Sequence, residues 1–434
     1  MRSVVFPCPL RNSLTPSNAL KIFYARAWYR KHAMLRPDSN LLVSVAAAKR
    51  ASHASGRVDG IDVLRGLSIL AVLVLHINLR IRIAKTFGQH WPAFVVSDIG
   101  WNGRYGVIVF FAISGFLITT MCLTRWNCLE NISLRQFYRL RFARIAPMLL
   151  ALLAVLSVLH LSGVPYFTIR PQVSTLPRAL FAALTFHVNW LEAQHGYLPG
   201  NWDVLWSLSN EELFYLAFPL LCLLTRRRAA LIGALSIFVV LGPFARTVLS
   251  QNPMWQENGY LSCMDAIAIG CIAAILSGAI RLPSGIRSTL LWTGTALAIF
   301  VAMCKQIVSQ MGIDRAGLDV TLLSLGVALM CICFTQGNKP GRMEWAWLRW
   351  FGRNSYEVYL THMMVIFPAL AVLRRVDPHS HLAPLSYVAM IFLSGAFGSL
   401  IARCFSEPLN RYFRRTRAAS QPTPAPIKVP AMND

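Results

Sequence analysis

Two ionisable side chains, Arg65 and His76, lie within one apolar stretch, Gly60–Asn78, that is long enough to cross a bilayer. In a helix they are separated by about 16 Å along the axis. A charged residue inside a membrane span costs about 2.5–3.5 kcal/mol on insertion scales, so such residues are usually retained for a function. The alternative is that Arg65 extends to the lipid headgroups and His76 bonds to a carbonyl at the far interface. We interpret both residues as functional.

A cluster of arginines follows in the stretch Ser133–Pro147, and Pro147 is expected to open the third span. Arg141 and Arg144 are three residues apart and therefore share a helix face. The cluster has two interpretations. It can set the topology beside anionic lipid, or its guanidinium groups can bind the phosphate groups of a cytoplasmic ligand.

Two adjacent carboxylates, Glu211 and Glu212, stand at the expected start of a later apolar helix, shortly after Ser207 and Ser209. A glutamate after a serine is typical of a helix N-terminus. Since the two glutamates point to different faces, we expect one to cap the helix and the other to face inward.

Further polar residues give weaker signals. Tyr356, Tyr359 and His362 recur at helical spacing in a late span, and a packed aromatic interface explains them equally well. Ser114 is a nucleophile in principle, but no base stands at a recognisable spacing, and serines in spans usually bond to their own backbone. Its neighbour Gly115, with Gly106, favours close helix approach or a local bend.

The composition indicates what kind of fold positions these residues. The chain has 434 residues, of which 55% are hydrophobic and 14% charged, and its mean hydropathy is +0.49. These values predict an all-α polytopic membrane protein. The net charge of +24 falls between apolar runs, which fits the positive-inside rule better than nucleic-acid binding. No Cys-x-x-Cys pair or His/Cys ligand spacing occurs, so we expect no metal site.

Eleven apolar runs are present, at 61–79, 105–123, 146–162, 178–191, 208–225, 229–249, 262–280, 288–304, 317–335, 355–373 and 386–404. The run at 178–191 is short. If it does not span, most of the 42 lysines and arginines lie on the side of the N-terminus. We therefore predict about ten spans in one bundle, both termini cytoplasmic, and 178–191 as a half-span or interfacial helix.

Three regions follow from this pattern. Residues 1–58 are predicted to be a basic, disordered cytoplasmic extension, with Met34 as an alternative start of translation. Residues 59–410 form the transmembrane domain, and 411–434 form a basic, Pro-rich and disordered cytoplasmic tail. We expect no soluble catalytic domain.

The order of the motifs resembles acyltransferase family 3, the bacterial integral-membrane O-acyltransferases. The resemblance runs from about Gly60 to Arg415. Its motifs are Arg65 and His76 in the first span, FFAISGFLI (Phe110–Ile118), RLRFARIAP (Arg139–Pro147), WSLSNEELFY (Trp206–Tyr215), FGRNSYEVYLTH (Phe351–His362) and SEP (Ser406–Pro408).

This resemblance implies that an acyl group, often acetyl, passes from cytoplasmic acyl-CoA to a hydroxyl of a carbohydrate or another envelope molecule, at the bacterial inner membrane. It also implies that Arg65 and His76 are essential, that Arg141 and Arg144 engage the CoA end, and that Glu211 is the acid of the family's SLxxE motif. The sequence departs from the family where Met264 replaces an arginine before Asp265, so we give Asp265 little weight.

The residue types suit such chemistry. Histidine can take the hydroxyl proton and return it to the leaving thiolate, so His76 is the expected base. Glu211 is expected to orient the imidazole if the two helices pack together. Arg65, Arg141 and Arg144 are expected to bind acyl-CoA, which is a substrate and not a bound cofactor. The expected partners are acyl-CoA, a glycan or lipid-linked sugar and membrane lipids, without nucleic acid.

Other functions remain open from the sequence. The chain can be an acyltransferase of a small molecule or lipid, or a transporter without chemistry. Against a transporter, the two halves show no internal repeat and no paired broken spans. The acceptor, the acyl chain, the oligomeric state and the choice between direct transfer and an acyl-histidine intermediate also stay open.

Overall fold

Apolar runs of this length become helices in a bilayer because only hydrogen bonds within the segment satisfy the backbone there. The structure is a computed structural model that describes residues 57–248, 251–337 and 345–415, and no β-strand occurs among them. The α-helices are, in chain order, α1 Asp59–Asn78, α2 Ala93–Gly100, α3 Gly103–Trp126, α4 Leu134–Leu161, α5 Leu176–Leu184, α6 Val188–His195, α7 Gly200–Asp203, α8 Leu205–Thr225, α9 Arg228–Thr247, α10 Pro253–Asn258, α11 Tyr260–Ala279, α12 Ser284–Met303, α13 Lys305–Gln310, α14 Leu318–Gln336, α15 Ala346–Arg353, α16 Ser355–Val376, α17 Ala383–Ile401 and α18 Glu407–Arg415.

Ten helical segments in the described part of the chain are long and apolar enough to cross a membrane, which confirms the expected number of spans. The run at 178–191 is divided between α5 and α6, which have 9 and 8 residues. Helices of this length extend about 14 Å, whereas the hydrocarbon core is about 30 Å thick. The run therefore does not form a span, as the charge distribution indicated.

The third span differs from the prediction at its start. Pro147 was expected to open it, but α4 begins at Leu134 and continues through Pro147. Proline is tolerated inside a membrane helix because neighbouring groups can satisfy the freed backbone carbonyl. As a consequence, Arg141 and Arg144 lie on the same continuous helix as the apolar part of the span.

Two of the predicted regions fall largely outside the described residues. The N-terminal extension, 1–58, is described only from residue 57 onwards. Of the predicted tail, 411–434, the first five residues belong to helix α18, which follows a π-helical turn at Ala402–Ser406. The remaining tail residues lie beyond the described part.

Helix α1 is central to the bundle because it packs against α3, α15 and α16. Glycines permit the closest of these contacts. A Cβ atom at Gly66 would collide with the carbonyl of Leu348, and a Cβ atom at Gly352 would collide with that of Asp62. The backbones of α1 and α15 are thus in direct contact, and α1 is held in a fixed position.

The same kind of contact joins α3 to α11. A Cβ atom at Gly115 would meet the carbonyl of Ile267, and one at Gly270 would meet the carbonyl of Ala112. Small residues at such crossings let membrane helices approach closely. The expected role of Gly115 in close helix approach is therefore confirmed.

A buried ion pair fixes α9 against α11. The guanidinium of Arg246 donates to both carboxylate oxygens of Asp265, over 3.1 and 2.8 Å. It also donates to the carbonyl of Gly317 and to the hydroxyl of Thr321, so the charge is fully coordinated. Asp265 therefore acts in packing, which agrees with the low weight that the sequence gave it.

We predict that Gly270→Ala lowers the melting temperature of the detergent-solubilised protein. The new methyl group would force α3 and α11 apart, and overpacking of this kind costs about 1–3 kcal/mol. Gly278→Ala is the matched control, since it lies on the same helix and its Cβ atom would make only an ordinary contact, 3.6 Å from Leu123. Equal melting temperatures for the two variants in a thermal unfolding scan would contradict this account.

Candidate functional site

His76 lies near the last turn of α1 and faces His362 of α16, with 4.9 Å between the ring centroids. His362 Nδ1 is 2.6 Å from the carbonyl oxygen of Tyr359. Because a carbonyl only accepts, Nδ1 carries the proton and Nε2 is an acceptor. His362 Nε2 and His76 Nδ1 are buried and have no hydrogen-bond partner in the described part of the chain. The two rings therefore offer nitrogen atoms that a reacting hydroxyl group can use.

Tyr359 holds this histidine pair against α8. Its hydroxyl donates to the carbonyl of Val204 over 3.1 Å and accepts from the hydroxyl of Ser207 over 2.8 Å. Its ring centroid lies 6.0 Å from that of His362 and 6.4 Å from that of Phe110. The spacing of Tyr359 and His362 thus brings both to the end of α1 that carries His76.

The arginines lie at the opposite end of α1. Arg141 of α4 is 3.8 Å from the carboxylate of Glu212, and its guanidinium carbon is 3.6 Å from the ring centroid of Tyr215. Both partners belong to α8. An ion pair and a cation–π contact together compensate for the desolvation of a charge inside the bundle.

Glu211 joins the same cluster. Its carboxylate is within hydrogen-bonding range of Ser114 and within electrostatic range of Arg141, Arg65 and Arg144. The structure therefore brings together the three arginines that the sequence assigned to acyl-CoA. In contrast, the charged and titratable neighbours of His76 in the described chain are His362 and Arg80. Glu211 is not placed to orient His76.

The glutamates also differ from the expected cap. Helix α8 begins at Leu205, directly after the short helix α7, so Glu211 and Glu212 lie about two turns inside it. Ser207 donates to the hydroxyl of Tyr359 and Ser209 to the carbonyl of Leu205, so neither serine caps α8. The prediction that one glutamate caps the helix is wrong, because the helical segment starts earlier than the apolar run.

Ser114 and Tyr356 belong to the arginine end as well. The hydroxyl of Ser114 is hydrogen-bonded to that of Tyr215. Tyr356 donates weakly, over 3.4 Å, to the carbonyl of Ile145, and it lies within electrostatic range of Glu212. These contacts hold both residues at the arginine end, which favours a positioning role for each.

Three charged residues near His76 were not among the sequence candidates. Arg80 donates to the carbonyl of His76 over 3.1 Å and is within electrostatic range of Asp203. Asp203 in turn forms a hydrogen bond with the carboxyl group of Glu192. Arg80 lies one helical turn beyond His76, so helical spacing in the sequence could have identified it as a neighbour of this histidine. No sequence spacing connects Glu192 with Asp203.

Burial dominates the electrostatics of this group. It lowers the pKa of the Arg80 guanidinium, which the Asp203 carboxylate partly opposes. Burial, followed by the charge of Asp203, raises the pKa of the Glu192 carboxyl well above its ordinary value. The two carboxyl groups therefore favour sharing one proton.

A second group of cations extends the arginine end. Arg414 of α18 is within electrostatic range of two other arginines, Arg144 and Arg125. The rings of Phe142 and Phe413, with centroids 6.5 Å apart, pack α18 against α4. Together, Arg125, Arg144 and Arg414 concentrate positive charge that is suited to bind phosphate groups. Within the described residues, no group of three or more potential metal ligands occurs.

Comparisons with known proteins identify the family of the chain. The family model for the acyltransferase domain of acyltransferase family 3 matches residues 58–404. YrhL of Bacillus subtilis (strain 168), which is named provisionally as a peptidoglycan O-acetyltransferase, is 26% identical over 71% of this chain and 48% of its own length. The peptidoglycan O-acetyltransferase OatA of Listeria monocytogenes is 26% identical over 80% of this chain and 55% of its own.

OatA of Staphylococcus aureus (strain NCTC 8325) is 29% identical over a shorter stretch, 38% of this chain and 24% of its own. The chain thus spans about half the length of the first two relatives. No solved structure matches it. The family match covers nearly all the described helices, from the start of α1 to the end of α17, and the chain therefore belongs to acyltransferase family 3.

Proposed function

We propose that the protein is a membrane O-acyltransferase that transfers an acyl group, expected to be acetyl, from cytoplasmic acyl-CoA to a hydroxyl group of an envelope or secreted glycan. Peptidoglycan, O-antigen, an exopolysaccharide and a lipid-linked oligosaccharide are the acceptors considered. One observation carries the proposal. Helix α1 carries His76, which faces His362 of α16, near one end, and Arg65, which shares a cluster with Arg141 and Arg144 of α4, near the other. The names of the relatives support acetyl transfer to an envelope glycan.

The donor is assigned to the arginine end. The phosphate groups of acyl-CoA require several cations, and Arg144 is exposed while Arg141 and Arg65 are half-buried. The arginine side chains therefore extend from the surface into the bundle. Arg125 and Arg414 add positive charge beside Arg144. The pantetheine arm would then extend along α1 and deliver the thioester to His76.

The reaction at His76 is an acyl transfer. The acceptor oxygen attacks the thioester carbonyl, and His76 takes the hydroxyl proton. When the C–S bond breaks, the imidazolium returns that proton to the thiolate, which leaves as CoA-SH. His362, whose Nε2 is an acceptor, stabilises the ring that carries the proton. The transfer needs no oxidant, reductant or bound cofactor.

We predict that His76→Ala abolishes acetyl transfer from acetyl-CoA by the purified protein, because a general base typically contributes about 10²- to 10⁴-fold. His160→Ala is the control: this histidine also lies near the end of a span, α4, and accepts a hydrogen bond from the amide of Ile169. The measurement is the release of free CoA thiol, with membrane insertion checked by expression level. Full activity of His76→Ala would exclude it as the base.

For the donor site we predict that Arg144→Gln raises the KM for acetyl-CoA several-fold. The same variant should leave the KM for S-acetylpantetheine unchanged, since this donor lacks the nucleotide and its phosphates. Arg135→Gln, an exposed arginine on the same helix, serves as the control. An equal effect on both donors, or reduced insertion in the membrane, would show instead that Arg144 acts in topology.

We further propose that the protein lies in the bacterial inner membrane with both termini in the cytoplasm, which places Arg65 at the cytoplasmic side. Alkaline phosphatase is active only outside the cytoplasm. A fusion after Arg227, between α8 and α9, should therefore be inactive, and a fusion after Gly312, between α13 and α14, should be active. The reverse pattern of activity would show that the topology is inverted. The arginine end would then lie outside the cytoplasm, where acyl-CoA is not available.

The acceptor molecule is best identified by comparing the glycans and lipids of intact cells. Mass spectrometry should compare surface glycans and lipids from cells with the gene, without it, and with the His76→Ala variant. Loss of an acetyl-sized mass from one glycan, restored only by the wild-type gene, is the expected result. A change confined to a lipid or small molecule would assign the alternative acyltransferase function.

A further inference from the structure

A cavity of about 250 Å³ lies between α5 and α6, and the acyl-transfer step does not use it. It is lined by Arg178, His187, Trp190, Leu191 and Gln194. The two helices belong to the connection between the spans α4 and α8, at the end of the bundle that carries His76. Because neither helix is long enough to span, the cavity lies at one surface of the membrane.

Arg178 gives the cavity a positive charge. Its guanidinium donates to Nε2 of His195 over 2.8 Å, so that nitrogen carries no proton and this histidine is uncharged. Burial, followed by the charge of Arg178, lowers the pKa of His187, which is therefore uncharged at neutral pH as well. Among the residues that the structure describes, no carboxylate forms an ion pair with Arg178. The cavity is thus suited to an anion.

The surface beside this charge is apolar. Arg178, Phe181 and Leu184 recur every three residues and share the outward face of α5, where Phe181 is 63% exposed and Leu184 is 47% exposed. Trp190 of α6, which is 49% exposed, extends this surface. Exposed apolar patches of this kind mark contacts with a membrane or a partner, and tryptophan is frequent at membrane interfaces. The ligand must therefore combine an anionic group with an apolar part.

The cavity is preformed because α6 is fixed on its other side. Asn189 donates its side-chain amide to Asn210 of α8 and to the carbonyl of Asn258, both over 3.2 Å. The ring of Phe181 packs edge-on against that of His187, with 5.3 Å between the centroids, and so joins α5 to α6. The residues that line the cavity are held in place by these contacts.

Three classes of ligand can be compared with this lining. A neutral sugar would leave the charge of Arg178 without a counter-ion. A free inorganic anion would leave the apolar surface uncovered. A phospholipid supplies both a phosphate group for the guanidinium and acyl chains for the apolar face. A headgroup with a net negative charge is favoured, because the ammonium group of a zwitterionic headgroup would be repelled by the same arginine.

We propose that the cavity between α5 and α6 binds an anionic phospholipid, whose phosphate group pairs with Arg178 and whose acyl chains cover Phe181, Leu184 and Trp190. The site is separate from the histidine pair and from the arginine end of α1. It requires only that the chain lies in a membrane, and it does not depend on the proposed acyl transfer.

The test uses the full-length protein in detergent and, as the probe, a phosphatidylglycerol that carries a photoreactive diazirine in one acyl chain. After illumination, peptide mass spectrometry should find the label within residues 176–195. Arg178→Gln should raise the probe concentration for half-maximal labelling about 10- to 100-fold, the effect of losing hydrogen bonds to a charged group. Arg170→Gln is the matched control, since this arginine is also exposed and lies between α4 and α5, and it should change nothing.

Competition on the wild-type protein provides a second measurement that needs no variant. Unlabelled phosphatidylglycerol should displace the probe, whereas phosphatidylcholine and inorganic phosphate at the same concentration should not. Equal competition by phosphatidylcholine would show that the charge is not recognised, and competition by phosphate would show a site for soluble anions. Either result would overturn the proposal, as would the absence of label from residues 176–195 or an equal effect of the two arginine variants.

Discussion

A charge inside a membrane bundle must find an opposite charge or a polar ring, and this constraint determines how α4, α8 and α3 meet. Arg141 is held between the carboxylate of Glu212 and the ring of Tyr215, and Tyr215 is bonded to Ser114 of α3. Removing one partner of such a buried pair is far more costly than removing both. The contacts therefore fix three helices relative to one another and orient the remaining arginine, Arg144, towards the surface.

Helix α1 connects this cluster to the histidine pair. Its backbone contacts α15 at Gly66, and its first turn is tied to that helix by an ion pair between Asp59 and Arg349, 3.0 Å long. A helix anchored in this way cannot shift along its axis without losing both contacts. The distance between Arg65 and His76 is consequently a fixed dimension of the molecule, about 16 Å.

The sequence predicted the parts of the fold that depend on local pattern. The ten spans, the short run at 178–191 and the meeting of the arginines follow from hydropathy, charge bias and helical spacing. It could not predict which helices face each other, because that depends on packing between distant segments. Glu211 was therefore assigned to His76 instead of to the arginines. Glu192 and Asp203 were missed for the same reason, since each looks like an ordinary polar residue until α6 and α7 fold over the histidine pair.

An aromatic layer lies between the two ends of α1. Phe110 packs edge-on against Tyr359, and Phe111 packs in the same way against Trp206. Tyr359 is further fixed by Ser207 and Val204, so this layer is ordered. These aromatic contacts thus lie between the cationic end of α1 and the end that carries the histidine pair.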